Sequence, residues 1–328
     1  MITAYGDISP RTAGWAVKQL LKRGMPYLVL EKFGQAYPLP QNSTKQAIFR
    51  RYERFPKTPN PLTEGVTPSA RQLTTTDYPV TLGQYGDRVQ ISDVIMDTHE
   101  DPVLSQALDV LGEQAAQMIE MVRFNVLKGG TNVMYAGSVA GRANVVAAIT
   151  KTELRRAVKL LKRQDTRKIT RIIRSTTDYG TEQVNAAFVA LCHTDCEPIF
   201  REMEGFVPVE KYGQISPFDG EIGKVEETRI VTSTIFESWA DAGGAAGGNF
   251  ESTGGTSCDV YPVLVLGQDA YGIVPLKGKT SIVPMVVNPK PSDSDPLAQR
   301  GHAGWKAYQA AVILNHAWIL RMETAAPL

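Results

Sequence analysis

Residues 42–93 read NSTKQAIFRRYERFPKTPNPLTEGVTPSARQLTTTDYPVTLGQYGDRVQISD, and a single helical pattern, DPVLSQALDVLGEQAAQMIEMVRFNVLK, follows over 101–128. The first stretch alternates as strands do, carries many charges and turn formers, and holds little that fills a core. Thr44–Phe55 is predicted as one limb; four prolines and a Glu64–Gly65 turn make Pro56–Pro68 the tip. On the return limb Tyr78, Val80 and Leu82 share one parity, and Val89 and Ile91 share the other. A bulge near Gly83 and Gly86 would bring both runs to one face. The prediction is a long, twisted β-hairpin of modest apolar content. Such a hairpin is marginal alone in water, so something must cover it, and an arm of this kind makes sense when another subunit supplies the missing half. The chain reads as a piece of an assembly.

The helical pattern is the strongest local signal. Leu104, Leu108, Leu111, Ala115, Met118, Val122 and Val126 recur at three and four, predicting one amphipathic helix roughly 40 Å long at 1.5 Å per residue. Pro102 suits its first turn, and Gly129–Gly130 ends it. Asp97, Glu100 and Asp101 favour the positive end of its dipole, with Arg123 and Lys128 near the other.

Charge is distributed in blocks. Met1–Gln72 holds eleven Lys/Arg against four Asp/Glu, Asp93–Glu120 has seven acids and no Lys or Arg, and Arg155–Arg174 has nine bases and one acid. Blocks of opposite sign suit contacts between copies of one chain. Arg50, Arg51, Arg54 and Lys57 on the hairpin are candidate contacts for the acidic surface of Asp97, Glu100 and Asp101 on a neighbour. Arg155, Arg156, Lys159, Lys162 and Arg163 form a basic helix that faces DNA, a neighbouring subunit or only solvent. Formal net charge is only +1, so no global basic field argues for nucleic acid. No apolar run reaches the ~18 residues of a membrane helix, and the N-terminus lacks the order of a signal peptide. Three cysteines are too few for a disulfide scaffold, which points to folding in a reducing cytoplasm.

Elsewhere the pattern predicts mixed α+β structure without a clean domain boundary. Helices are expected over Ala13–Arg23, Thr152–Arg163 and near Glu197–Met203. Strands are expected at the LVL run Leu28–Leu30, Phe188–Cys192, Arg229–Phe236, Tyr261–Leu266 and Tyr271–Pro275. Ala242–Gly255, nearly all Gly, Ala and Ser, reads as a mobile surface loop, and Asn288–Pro296 as an exposed linker. Ala307–Arg321 is a closing apolar run.

Little in the chain resembles a catalytic motif. Cys192, His193, Asp195 and Cys196 lie within five residues, the one cluster from which a thiol or metal hydrolase could be built. Structural zinc needs four ligands, normally in two separated pairs, and only Cys258 remains elsewhere. The glycine-rich loop has no following lysine and no strand–loop–helix order, so it does not cradle phosphate. No G-x-S-x-G or H-E-x-x-H occurs. No cofactor is expected.

The order of elements, together with YGDISPRTA (5–13), PYLVLEKFGQ (26–35), PLTEGVTP (61–68), DVIMDTHEDPVL (93–104), GFVPVEKYG (205–213) and MVVNPKPSDSDPLAQRGHAGWK (285–306), resembles the HK97-fold major capsid proteins of tailed bacteriophages, in particular their N4-like branch. The resemblance runs from about Tyr5 to Leu320. It implies an N-terminal arm at 1–41, an extended loop at 42–92 lying over a neighbour, and a peripheral domain at 93–175 with a spine helix at 101–128. It further implies an axial domain at 176–287 and a return linker and closing segment at 288–328. Hexamers and pentamers would then close an icosahedral head around double-stranded DNA, assembled in the bacterial host cytoplasm. A portal and a scaffold are the implied partners, with room for a decoration protein and with no membrane. No long N-terminal scaffolding segment precedes the arm, so the resemblance implies a separate scaffold or a removed leader. An encapsulin-like compartment uses the same fold and is the alternative shell.

Overall fold

A computed structural model of the chain describes residues 28–42, 44–94, 103–174, 180–213, 217–276, 282–287, 289, 291 and 296–328. The predicted helix Ala13–Arg23 and most of the linker at 288–296 lie outside these residues.

Leu28, Val29 and Leu30 are buried, as an LVL run demands, but Leu30–Phe33 is one helical turn and not a strand. A carboxylate selects the turn. Glu120 Oε1 accepts hydrogen bonds from Val29 N at 3.0 Å and Leu30 N at 2.6 Å. Amides at the start of a helical turn have no partner within it, and an acid there satisfies them.

The long helix spans Val103–Lys128. Leu108, Leu111 and Ala115 of the predicted stripe are buried, but Met118, Val122 and Val126 are only half-buried. Further along, the inward face is carried by Ala116, Ile119, Glu120, Arg123, Phe124 and Leu127. A straight helix drifts about 20° per heptad from a seven-residue seam, and here the drift is used because the helix serves two cores. Its first half packs with Ile91, Ala303, Trp305 and Ala307. Its last turns place Phe124 and Leu127 with Val189, Leu264 and Ile319 in the other core. One helix therefore ties two sheets together.

The first sheet is built on Arg300–Ile313. Gly83–Ser92 pairs along one side of it, and Ile282–Val287 and Tyr271–Pro275 lie end to end along the other. Gln35–Ala36 adds a short parallel strand to Tyr271–Pro275. The register from Gly83 to Ser92 is unbroken, so the bulge expected at Gly83–Gly86 does not form. The parity change at Leu82 is instead a change of partner and of core. Up to Thr81 the chain pairs with Gln46–Tyr52, and from Gly83 it joins the five-stranded sheet. Gly86 is needed for close approach, since a Cβ there would sit 2.6 Å from the Trp305 carbonyl oxygen.

The second sheet runs Val133–Tyr135, Ile319–Ala325, Val260–Leu266, Gly180–Cys192, Thr228–Thr232, Glu221–Val225 and Phe206–Pro208, with Ile169–Arg174 also paired to Gly180–Cys192. Val260–Leu266 is buried at every position, as a strand covered on both faces must be. One cover is the helix Lys151–Arg163 with the short helix Glu197–Arg201, and the other is the end of the long helix. The glycine-rich segment is pinned against this layer. Gly244 N donates to Val145 O at 3.0 Å, Cys258 N to Gly244 O at 2.8 Å, and Ala246 is buried. The rest of the segment is exposed or half-buried, as a surface loop.

Candidate assembly surfaces

The arm is a two-stranded ribbon with one dry face. Ala47, Phe49, Val80 and Leu82 are buried against Leu39, Val274, Ala310 and Leu314. Gly272 makes room, because a Cβ there would lie 2.7 Å from the Phe49 ring. Ile48 and Tyr52 point the other way and are exposed. Beyond Tyr52 the chain runs to Thr74 without a regular strand. Leu62 is 74% exposed and Val66 63% exposed, with Phe55 and Leu73 also exposed. Large apolar side chains gathered on one extended segment mark an interaction surface more strongly than scattered ones do.

The four hairpin cations all find acids within the chain. Arg50 makes a bidentate pair with Asp77, at 2.8 and 2.9 Å. Arg51 bonds Glu53 at 2.8 Å and the Leu314 carbonyl at 3.3 Å. Arg54 and Lys57 converge on Asp165, at 2.6 and 2.9 Å. The Lys57 ammonium, and then the Arg54 guanidinium, hold the Asp165 carboxyl below the usual carboxylate range. Asp97, Glu100 and Asp101 lie outside the described residues. Exposed pairs of this kind are screened by solvent and contribute little, so they orient the arm without fixing it.

The basic helix is well started. The Thr150 hydroxyl accepts from Glu153 N at 3.3 Å and the Glu153 carboxylate accepts from Thr150 N at 2.8 Å, a complete capping box. Leu154, Ala157 and Leu161 face the core. The cations divide into two sets. Arg155 bonds Glu226 at 2.8 Å, and Lys162 and Lys168 share Glu227 at 2.6 and 3.2 Å. Arg156, Lys159 and Arg163 are exposed and have no ion-pair partner among the described residues.

The Cys–His cluster is structural. Cys192 and Cys196 are buried, and burial pushes both thiols up, away from the thiolate that nucleophiles and metals require. His193 Nδ1 lies 2.9 Å from Asp195 Oδ2, which also accepts from the Tyr261 hydroxyl at 2.7 Å. That arrangement closes a strand end. Among the described residues no group of three or more His, Cys, Asp or Glu is placed to hold a metal, and no helix is long and apolar enough to cross a membrane.

Two polar clusters escape a reading by periodicity. The Glu120–Arg123 pair is fully buried; Arg123 donates to Gln309 at 3.0 Å and lies 3.4 Å from Glu31. At the helix C-terminus, Lys128 and Arg142 stack on Trp239 at 4.3 and 3.5 Å, and Arg142 and Arg321 both meet Glu323, at 2.7 and 2.9 Å. The only sequence signal for the first pair is two charges at spacing three within an apolar pattern. For the second there is none, because its members are spread over two hundred residues.

A dry-based arm and a helix shared by two sheets fit a shell-building architecture. Residues 75–321 match the phage capsid protein family, and the chain belongs to that family, with an α+β fold of the HK97 type. It is similar to the major capsid protein of Pseudomonas phage KPP21, 24% identical over 228 residues, which are 64% of this chain and 57% of that protein. The chain thus matches less than two thirds of that relative's length. In three dimensions it resembles the capsid of Ralstonia phage GP4, with TM-score 0.65, 14% identity, and coverage of 89% and 87%. It also resembles the head structure of Helicobacter pylori bacteriophage KHP40, with TM-score 0.62, 9% identity, and coverage of 93% and 91%. A third likeness is to the cyanophage Pam1 capsid, with TM-score 0.60, 15% identity, and coverage of 93% and 92%. At these identities the likeness is one of fold.

Proposed function

We propose that the chain is the major capsid protein of a tailed phage of the N4-like branch, forming hexamers and pentamers that close an icosahedral head around double-stranded DNA. The observation that carries this is the segment beyond Tyr52, whose exposed Phe55, Leu62, Val66 and Leu73 are suited to contact with another copy. In this reading the ribbon and its tip are the extended loop over a neighbour, and Val103–Lys128 is the spine. The eight-stranded layer supplies most of the axial domain. The strands Tyr271–Pro275 and Ile282–Val287 would go with the spine, because they pair with Arg300–Ile313, against which the helix packs. Portal, scaffold and decoration proteins would complete the particle, which assembles in the host cytoplasm and resides in the virion. An encapsulin-like compartment has the same architecture; the phage family match disfavours it, and DNA inside the particles separates the two.

Reversal of Arg50 and Arg51 to Glu is expected to leave folded, soluble subunits that fail to close shells. The pairing of Arg50 with Asp77 calls for a companion variant, Arg50→Glu with Asp77→Arg, which keeps the ribbon's own ion pair. Continued failure of that swap in electron micrographs assigns Arg50 to a neighbour's acidic surface. Normal shells from the swap would limit Arg50 to stiffening its own ribbon, and normal shells from the double reversal would remove both residues from assembly.

A further inference from the structure

We propose that Arg156, Lys159 and Arg163 form a phosphate-binding stripe that contacts the backbone of duplex DNA without reading its sequence. The three positions fall at spacings of three and four, on one face of the helix Lys151–Arg163. They span seven residues, about 10 Å along the axis, which is about three phosphates of one strand at ~3.4 Å of rise each.

Ion pairing, not position, distinguishes these three from Arg155 and Lys162 on the same helix. Arg155 and Lys162 pair with Glu226 and Glu227, and Lys159 and Arg163 line the same shallow groove, over an apolar floor of Leu154, Val158 and Val225. Lys168 also reaches Glu227. Asp165, the acid next in sequence, is taken by Arg54 and Lys57. These carboxylates pair with other cations, and the exposed stripe makes no ion pair among the described residues. A protein partner would be expected to seek a buried aromatic or aliphatic anchor at the centre of its contact. The stripe offers no exposed one: Ala157, Leu161, Leu154 and Val225 are buried, and Val158 and Leu160 are half-buried. Charge without apolar anchors or stacking rings is the chemistry of non-specific backbone contact.

The capsid reading enters only as the source of the DNA, and the two readings fail separately. The experiment titrates a random-sequence 20-base-pair duplex with the full-length chain over a range of salt, and images shells from the same preparations. The variant carries Arg156→Gln, Lys159→Gln and Arg163→Gln. Its dependence of log K on log salt is expected to be shallower than wild type by about 2.7, at ~0.9 per phosphate contact, with shells closing normally. The single Lys159→Gln should account for about 0.9 of this, and Arg155→Gln for less than any stripe residue. An unchanged slope with normal shells would overturn the proposal in favour of a solvated face. An unchanged slope with failed closure would overturn it in favour of a contact with an acidic neighbour. Wild-type chain that binds duplex with this slope yet never forms shells would leave the stripe standing and defeat the capsid reading.

Discussion

Glu120 sits fully buried one turn from Arg123, with its carboxylate on the amides that begin the Leu30–Phe33 turn. Burial pushes its carboxyl up to about 7, against the opposing pull of Arg123 and of the Leu30 and Val29 amides. The folded chain therefore binds this proton more tightly than the unfolded chain, whose carboxyl has its ordinary value. The stability it contributes is full below about pH 4.5 and is lost as pH rises through about 7, on the order of 3 kcal/mol in all. Glu120→Gln should remove that dependence. Denaturant melts of both proteins at pH 5 and pH 8 are expected to show the wild type losing more stability across the interval. A parallel response in the two would contradict the assignment. This pair was poorly legible in sequence, because charges within an apolar pattern are ordinarily placed on the wet side of a helix. Their burial follows from long-range partners, Glu31 and Gln309, that no local window contains.

Among the elements, the arm is tethered to the body at its base by apolar contacts and near its tip by Asp165. Removing that acid, Asp165→Asn, frees Arg54 and Lys57 together. Trypsin is then expected to cleave after Arg54, Lys57 and Arg71 faster than in wild type, and an unchanged rate would show that the tether does not hold the segment. The long helix, the basic helix and the central strands were legible because period and capping agree with the core they serve. The LVL run was misread because a distant carboxylate, and no local propensity, chose the turn. The expected bulge was misread for a related reason: parity showed that the exposed face changes at Leu82, but not that the strand passes from one sheet to another. The hairpin cations were legible as a group, whereas their acids Asp77 and Asp165 emerged only from the register and from the fold.

At the scale of the whole molecule, two sheets are joined by one helix, and a ribbon with a dry base leads to a tip that leaves its apolar residues in solvent. Neither part explains the other within a single copy. Many weak contacts repeated under closed symmetry would make assembly cooperative even where each ion pair is worth little. The most direct test is electron microscopy of the expressed chain, alone and with the products of its neighbouring genes. Closed particles or five- and six-fold rings, with residues 53–74 traced over an adjacent copy, are the expected result. A small monodisperse species under every condition would contradict the account.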